Sequence, residues 1–148
     1  MKTTIGEIMS KKIETIEESA SVQELAKKMK DKNVSSLIVV DSFGNSKGLV
    51  TERDVVRNVC VKDVSTSKII IKEIMSLSLI TIKPDEYPST AIDRMLQNNI
   101  RHLLVVDNTY DINKPIGIVT PRDLTKYSEF TRDDANKDYL EKILEYFI

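Results

Sequence analysis

Apolar positions along this chain follow three rhythms, and each rhythm predicts a different element. Leu37-Ile38-Val39-Val40 and Leu103-Leu104-Val105-Val106 are continuous apolar runs, each closed by an aspartate, Asp41 or Asp107. Such runs suit strands buried on both faces. Val22, Leu25, Ala26 and Met29 fall instead at i, i+3, i+4 and i+7, one face of a helix. Ser21-Val22-Gln23-Glu24 just ahead spells a capping box, in which Ser21 caps and Glu24 reaches back. Pro88 opens a second stripe of Ala91, Ile92, Met95 and Leu96, and proline suits a first helical position because its missing N–H would be unpaired there. The spacing predicts helices over 22–32 and 88–98, with Asn33 and Asn99 as C-terminal stops. Short segments rich in Ile and Thr, 13–16 and 79–82, read as strands.

The remaining pattern completes two like units. Asp41-Ser42-Phe43-Gly44-Asn45 is a turn cluster, and Gly48-Leu49-Val50 and Ile116-Gly117-Ile118-Val119 read as partner strands. A second helix follows each, over 52–60 and 121–127. The two halves also share letters. Ile71-Lys72-Glu73-Ile74-Met75-Ser76 repeats Ile5-Gly6-Glu7-Ile8-Met9-Ser10, and the match runs without a gap through Thr15/Thr81, Met29/Met95, Asn33/Asn99 and Asp41/Asp107. After three extra residues in the second copy it resumes, with Gly48-Leu49-Val50-Thr51-Glu52-Arg53-Asp54 against Gly117-Ile118-Val119-Thr120-Pro121-Arg122-Asp123. An internal repeat sets the architecture before local propensity does. Each copy is strand–helix–strand–strand–helix, an α/β (α+β) chain with an expected pseudo-two-fold. The copies divide as 1–63 and 64–128, with residues 61–70 as the joint. Units of about 60 residues bury little surface alone, so a shared core is expected.

Beyond the repeats, 129–148 reads as a C-terminal amphipathic helix starting at Thr131-Arg132-Asp133-Asp134, with a stripe of Tyr139, Leu140, Ile143, Leu144 and Phe147. Core packing is the plain reading of that stripe; a docking helix is the other. Charge changes the picture only by exclusion. With 22 basic and 23 acidic residues the net charge is −1, which argues against a generic polyanion binder such as a nucleic-acid protein. The lone cysteine, Cys60, lies between Val59 and Val61 and is expected to pack as a small hydrophobe. No apolar run reaches membrane-spanning length and the first residues lack a signal-peptide core, so a cytoplasmic protein is expected.

Chemistry concentrates in Thr-x-Arg-Asp, found at Thr51/Arg53/Asp54 and Thr120/Arg122/Asp123, each after a buried strand and opening a helix. Capping alone explains Thr and Asp. It does not require Arg in both copies. The same turn presents free N–H groups to an anion, a carboxylate there suits ribose hydroxyls, and an arginine fork suits phosphate. Spacing leaves capping and ligand binding open together. Arg101 and His102 precede the second buried strand where the first copy has Ser35 and Ser36, so the second copy carries more cationic or donor side chains. Catalytic and metal sites find no support: there is one His and one Cys, and no phosphate loop or nucleophile elbow.

The Ile-Met-Ser segments, the Thr-Ile strands, Leu-x-Val-Val-Asp and Gly-[Leu/Ile]-Val-Thr-x-Arg-Asp together resemble the CBS motif, the unit named after cystathionine β-synthase, over about residues 5–128. The resemblance implies a tandem CBS pair, or Bateman module, of a kind that commonly forms disc-like dimers. It implies an adenosyl ligand such as AMP, ADP, ATP or S-adenosylmethionine, with no required cofactor. Asp54 and Asp123 would bind ribose, with Thr51 and Thr120 beside them. Arg101 and His102 would meet phosphate. Ile13, Thr15, Leu79, Ile80 and Thr81 would line the base pockets. The reading is a stand-alone, non-enzymatic sensor that forms a homodimer and signals to a protein target; faces around Met29 and Met95 are candidates for buried contact within or between pairs. The alternatives are a ligand-free dimerisation scaffold and a nucleic-acid-binding CBS protein.

Overall fold

A computed structural model describes residues 3–107 and 111–125, and in the tail only Glu141 and Glu145, both helical and exposed. The predicted helix start at Thr131 and the stripe from Tyr139 to Phe147 lie outside the described residues. The first repeat forms β1 (Thr15–Glu17), α2 (Val22–Lys32), β2 (Ser36–Val40), β3 (Ser46–Thr51) and α3 (Glu52–Asn58), after a short leading helix α1 (Ile5–Ile8). The second forms β4 (Thr81–Ile82), α4 (Pro88–Asn98), β5 (Leu103–Val105), β6 (Gly117–Val119) and α5 (Pro121–Thr125). Each repeat makes its own three-stranded sheet, ordered β1-β2-β3 and β4-β5-β6, with the first pair parallel and the second antiparallel. The order of elements is the one the hydrophobic pattern predicts.

The local signals act as expected. Ser21 Oγ accepts the Glu24 N–H at 3.1 Å, and a Glu24 carboxylate oxygen accepts the Ser21 N–H at 3.1 Å. Pro88 begins α4. Asn33 and Asn99 both take the left-handed conformation at φ 53° and end α2 and α4. The Asp41 carboxylate accepts the N–H groups of Phe43 and Asn45, each at 2.9 Å, and Gly44 supplies the positive φ the turn requires. These hydrogen bonds, chiefly that from the Asn45 N–H, hold the Asp41 carboxyl below its ordinary pKa.

Two apolar cores result. In one, Val22, Leu25 and Met29 of α2 pack on Leu37, Val39 and Val50; in the other, Ala91, Ile92 and Met95 of α4 pack on Leu103, Val105 and Val119. Ile38 and Leu104, on the opposite sheet faces, are buried too, as continuous apolar runs require. Met29 and Met95 lie in the cores of their own units, a buried contact within the pair. Two expectations change. Ala26 is exposed, because α2 buries a narrower face than the i+4 spacing suggests. Cys60 is exposed: α3 ends at Asn58, a tight 3-10 turn spans Cys60–Lys62, and the turn carries the thiol outward while Val59 stays in the core.

The compact units cut across the repeats. One contains residues 1–12 with everything from Ile80 onward; the other runs from Ile13 to Leu79. The leading Ile-Met-Ser segments are therefore exchanged. Ile5 packs in the core of the second repeat, and Ile71 in the core of the first. Ser10 trades two 2.9 Å backbone hydrogen bonds with Ile118 of β6, and Ser76 trades two of the same length with Leu49 of β3. The glycine of each Gly-[Leu/Ile]-Val strand allows this approach. A Cβ at Gly48 would run into the Ser76 carbonyl oxygen, and one at Gly117 into the Met9 side chain.

These contacts differ in how readily they yield. A backbone carbonyl fixed in a ladder cannot retreat, whereas a methionine side chain can rotate. Gly48→Ala should cost about 1–3 kcal/mol, the range of core overpacking, and Gly117→Ala less. Urea denaturation of both variants checks the order; equal costs would mean that the Ser76 carbonyl does not set the constraint.

Candidate functional site

Sheet register brings the motif residues of each unit to one end of its sheet. In the second-repeat unit β4 and β5 are parallel, with Thr81 opposite Leu104, so Ile80-Thr81 and Arg101-His102 stand at the same strand starts. The antiparallel β6 ends there: Leu103 faces Val119, and the next step of that register sets His102 beside Thr120. Thr81, His102 and Thr120 share the sheet face of Leu104 and Ile118. Helix α5 starts at the same end, so Arg122 and Asp123 join the group. In the first-repeat unit Ser36 pairs with Thr51, Ile38 donates to the Glu14 carbonyl, and Glu52 donates to the Ser35 carbonyl. Thr15, Ser35, Ser36, Thr51, Arg53 and Asp54 thus gather in the same way. Ile13 and Leu79 are the first and last residues of that unit.

The two Thr-x-Arg-Asp turns are alike but not identical. In the first, Asp54 Oδ2 accepts the Thr51 N–H at 2.9 Å and its hydroxyl at 3.1 Å, while the Asp54 N–H donates to Thr51 Oγ1 at 3.3 Å. That is a complete capping box. In the second, Asp123 Oδ2 accepts the Thr120 N–H at 2.9 Å and the hydroxyl at 3.2 Å, but the Asp123 N–H turns to the Thr120 backbone carbonyl at 3.1 Å. In both turns the bonds from threonine fall on Oδ2. A carboxylate at a strand-to-helix turn is an acceptor of the kind that suits a pair of ribose hydroxyls. Thr51, Arg53, Asp54, Thr120 and Asp123 are all half-buried, and Arg122 is exposed.

Electrostatics separates the copies. His102 is half-buried, and its pKa is pushed down from 6.5 to about 4, first by burial and then by the neighbouring Arg101 charge. It is a neutral imidazole at pH 7. Positive charge at this sheet end therefore comes from Arg101 and Arg122, and His102 contributes a hydrogen-bonding ring. Ser36, its counterpart, is buried and neutral.

One supporting pair has no advance signal in the motif. Arg94 of α4 holds Glu86 through two hydrogen bonds of 2.6 and 2.8 Å and donates to the Thr81 carbonyl at 3.0 Å. The Arg94 bonds lead the causes that hold the Glu86 carboxyl below its usual pKa. Lys28, at the equivalent place on α2, donates to the Thr15 carbonyl and stands 3.8 Å from Glu14. A cation on each first helix thus ties down the short first strand. The signal available in advance was the repeat itself, which aligns Lys28 with Arg94. Among the described residues no cluster of His, Cys, Asp and Glu is arranged to hold a metal ion, and no helix is long and apolar enough to cross a membrane.

The sequence profile of the CBS domain matches residues 5–60 and 71–129. The chain belongs to the CBS domain family. An uncharacterized 17.7 kDa protein of Acidianus ambivalens is 31% identical over 126 residues, 85% of this chain and 73% of that protein. A homoserine O-acetyltransferase of Methanohalobium evestigatum is 32% identical over 127 residues, 86% of this chain but 24% of the enzyme. The crystal structure of the CBS domain pair of protein MJ0100, in complex with 5′-methylthioadenosine and S-adenosyl-L-methionine, superposes with a TM-score of 0.72 at 30% identity, covering 85% of this chain and 95% of that one. The CBS pair here is thus of the same fold as a pair that binds adenosyl compounds.

His102 makes the stability of this CBS pair depend on pH. Its folded pKa lies below the ordinary 6.5, so between about 4 and 6.5 the unfolded chain binds more protons. Stability should be highest above pH 6.5 and fall as the pH drops toward 4, by at most about 3 kcal/mol, an upper bound because part of the side chain stays in water. Urea denaturation between pH 8 and 5 should show this loss in the wild type and not in His102→Gln. Parallel curves would show that His102 is not held neutral by the fold.

Proposed function

We propose that this CBS pair is a non-enzymatic regulatory module that binds an adenosyl ligand of the AMP, ADP, ATP or S-adenosylmethionine kind. The observation that carries the reading is the gathering of Thr120, Asp123, Arg101 and His102 at one sheet end, on a fold shared with a pair crystallised with two adenosyl compounds. Asp123 accepts from the ribose hydroxyls, with Thr120 beside it, and Leu79, Ile80 and Thr81 flank the base. Arg101 and Arg122 favour phosphate. The first copy offers Asp54, Thr51 and Arg53 for the same roles, with Ile13 and Thr15 near the base. Lacking a counterpart to Arg101, it suits a ligand of lower negative charge. The module assembles as a homodimer and passes its signal to a protein target.

A ligand-free scaffold is the second reading. The complete box at Thr51 and Asp54 favours it for the first copy, since capping there already uses both residues.

Calorimetric titration with AMP, ATP, S-adenosylmethionine and methylthioadenosine separates the readings. Hydrogen bonds to a charged group are worth about 1.5–3 kcal/mol, so Asp123→Ala should weaken nucleotide binding roughly ten- to a hundredfold. Asp54→Ala should cost about 1 kcal/mol of stability as a lost cap, with a smaller effect on nucleotide affinity. If the wild type binds none of these ligands, or if neither substitution weakens binding, the scaffold reading stands.

A further inference from the structure

Strand β4 has only two residues, Thr81 and Ile82, and lies at the edge of its sheet. Its ladder to β5 runs through the residues on either side of the Thr81 peptide: the Ile80 and Ile82 carbonyls accept the Leu104 and Val106 N–H groups, each at 3.1 Å. Carbonyls alternate in direction along a strand, so that of Thr81 points away from β5, to the open edge. Arg94 takes it there at 3.0 Å. Beyond the other end of the strand the Lys83 N–H donates to Glu86 Oε2 at 2.7 Å. Arg94 and Glu86 are both half-buried and are joined by bonds of 2.8 and 2.6 Å, so one clamp grips β4 at both ends. A strand this short gains little hold from its own ladder.

The same turn receives the leading segment. The Ile5 N–H donates to the Glu86 carbonyl at 2.8 Å, and the Gly6 N–H to the Pro84 carbonyl at 2.9 Å. The clamp therefore stands between that segment and Ile80-Thr81, the strand start set beside the base in the reading above. The first copy keeps the backbone bonds without the clamp. There the Ile71 and Lys72 N–H groups donate to the Ala20 and Glu18 carbonyls at 2.9 and 3.0 Å, and Lys28 reaches the Thr15 carbonyl. Ala20, however, stands where the second copy has Glu86. Lys28 instead lies 3.8 Å from Glu14, ahead of its strand rather than behind it.

We infer that Arg94 and Glu86 are positioning residues of the second-copy adenosyl site, which hold β4 beside the base and link its placement to the docking of the leading segment. The inference rests on the adenosyl reading above and adds to it two residues that act through β4 rather than on the ligand.

Calorimetric titration of wild type, Arg94→Ala, Arg94→Lys and Glu86→Gln with ATP and with methylthioadenosine tests it, with thermal melts to confirm folding. Arg94→Ala should weaken both ligands alike, roughly three- to tenfold, the loss expected when a group must be ordered on binding. An arginine acting by charge on phosphate would cost ATP far more than methylthioadenosine. Arg94→Lys, the side chain the first copy uses, should recover part of the loss. If Arg94→Ala does not fold, Glu86→Gln carries the same test from the other side of the clamp. Amide hydrogen exchange gives the second readout: methylthioadenosine should slow exchange at Ile5 and Gly6 in the wild type, and less so in the variants. Unchanged affinities, a loss confined to ATP, or exchange at Ile5 and Gly6 indifferent to ligand would overturn the inference, while Asp123→Ala measured alongside still reports on the adenosyl reading. A wild type that binds neither ligand would overturn that reading and this inference with it.

Discussion

The exchange of the Ile-Met-Ser segments is the contact on which the rest depends. Each segment leaves its own repeat, places an isoleucine in the other repeat's core and closes the open edge of the other's last strand with a pair of backbone hydrogen bonds. An uncovered strand edge is a template for unwanted pairing, so covering it serves solubility as well as stability. The contact is possible only because Gly48 and Gly117 carry no side chain. It also means that neither core is complete within one repeat: that of the first takes in Ile71 and that of the second Ile5. Units this small gain much from one added isoleucine, since a buried aliphatic side chain is worth roughly 1.5–3 kcal/mol.

The same strands position the candidate site. β3 and β6 are held on one side by β2 and β5 and on the other by the exchanged segments, so their C-terminal ends have little freedom. Those ends carry Thr51 and Thr120, and the capping bonds fix the aspartates of the first helical turn relative to them. Lys28 and Arg94 do the same for the first strands through the carbonyls of Thr15 and Thr81. Groups fixed before a ligand arrives lose less freedom on binding, which is why preorganisation raises affinity.

Between the copies the differences are electrostatic rather than architectural. The two 11-residue helices, their asparagine stops and the strand order agree, while Arg101 and His102 replace Ser35 and Ser36 and the Asp123 N–H donates to the Thr120 carbonyl. Because His102 is neutral at pH 7, the difference amounts to one buried-strand arginine and one imidazole ring, not two cations.

Sequence alone determined the elements and their order. The two stripes over 22–32 and 88–98, the capping box at Ser21, the proline at α4 and the asparagine stops are local signals, and each acts through bonds within a few residues. The buried runs at Leu37 and Leu103 were legible because continuous apolar character has few uses other than a strand covered on both faces. The repeat also marked Thr51, Asp54, Thr120 and Asp123 as a recurring pair of turns. What tertiary structure decided was anything set by distant partners. Ala26 fits the helical stripe yet faces water, since the width of the buried face depends on what packs against it. Cys60 reads as apolar by its neighbours, but a turn after Asn58 carries it outward. The pKa of His102 follows from crowding that no local pattern encodes. The exchange of leading segments was equally hidden: identical letters in two copies show that a contact recurs, not which copy supplies each side.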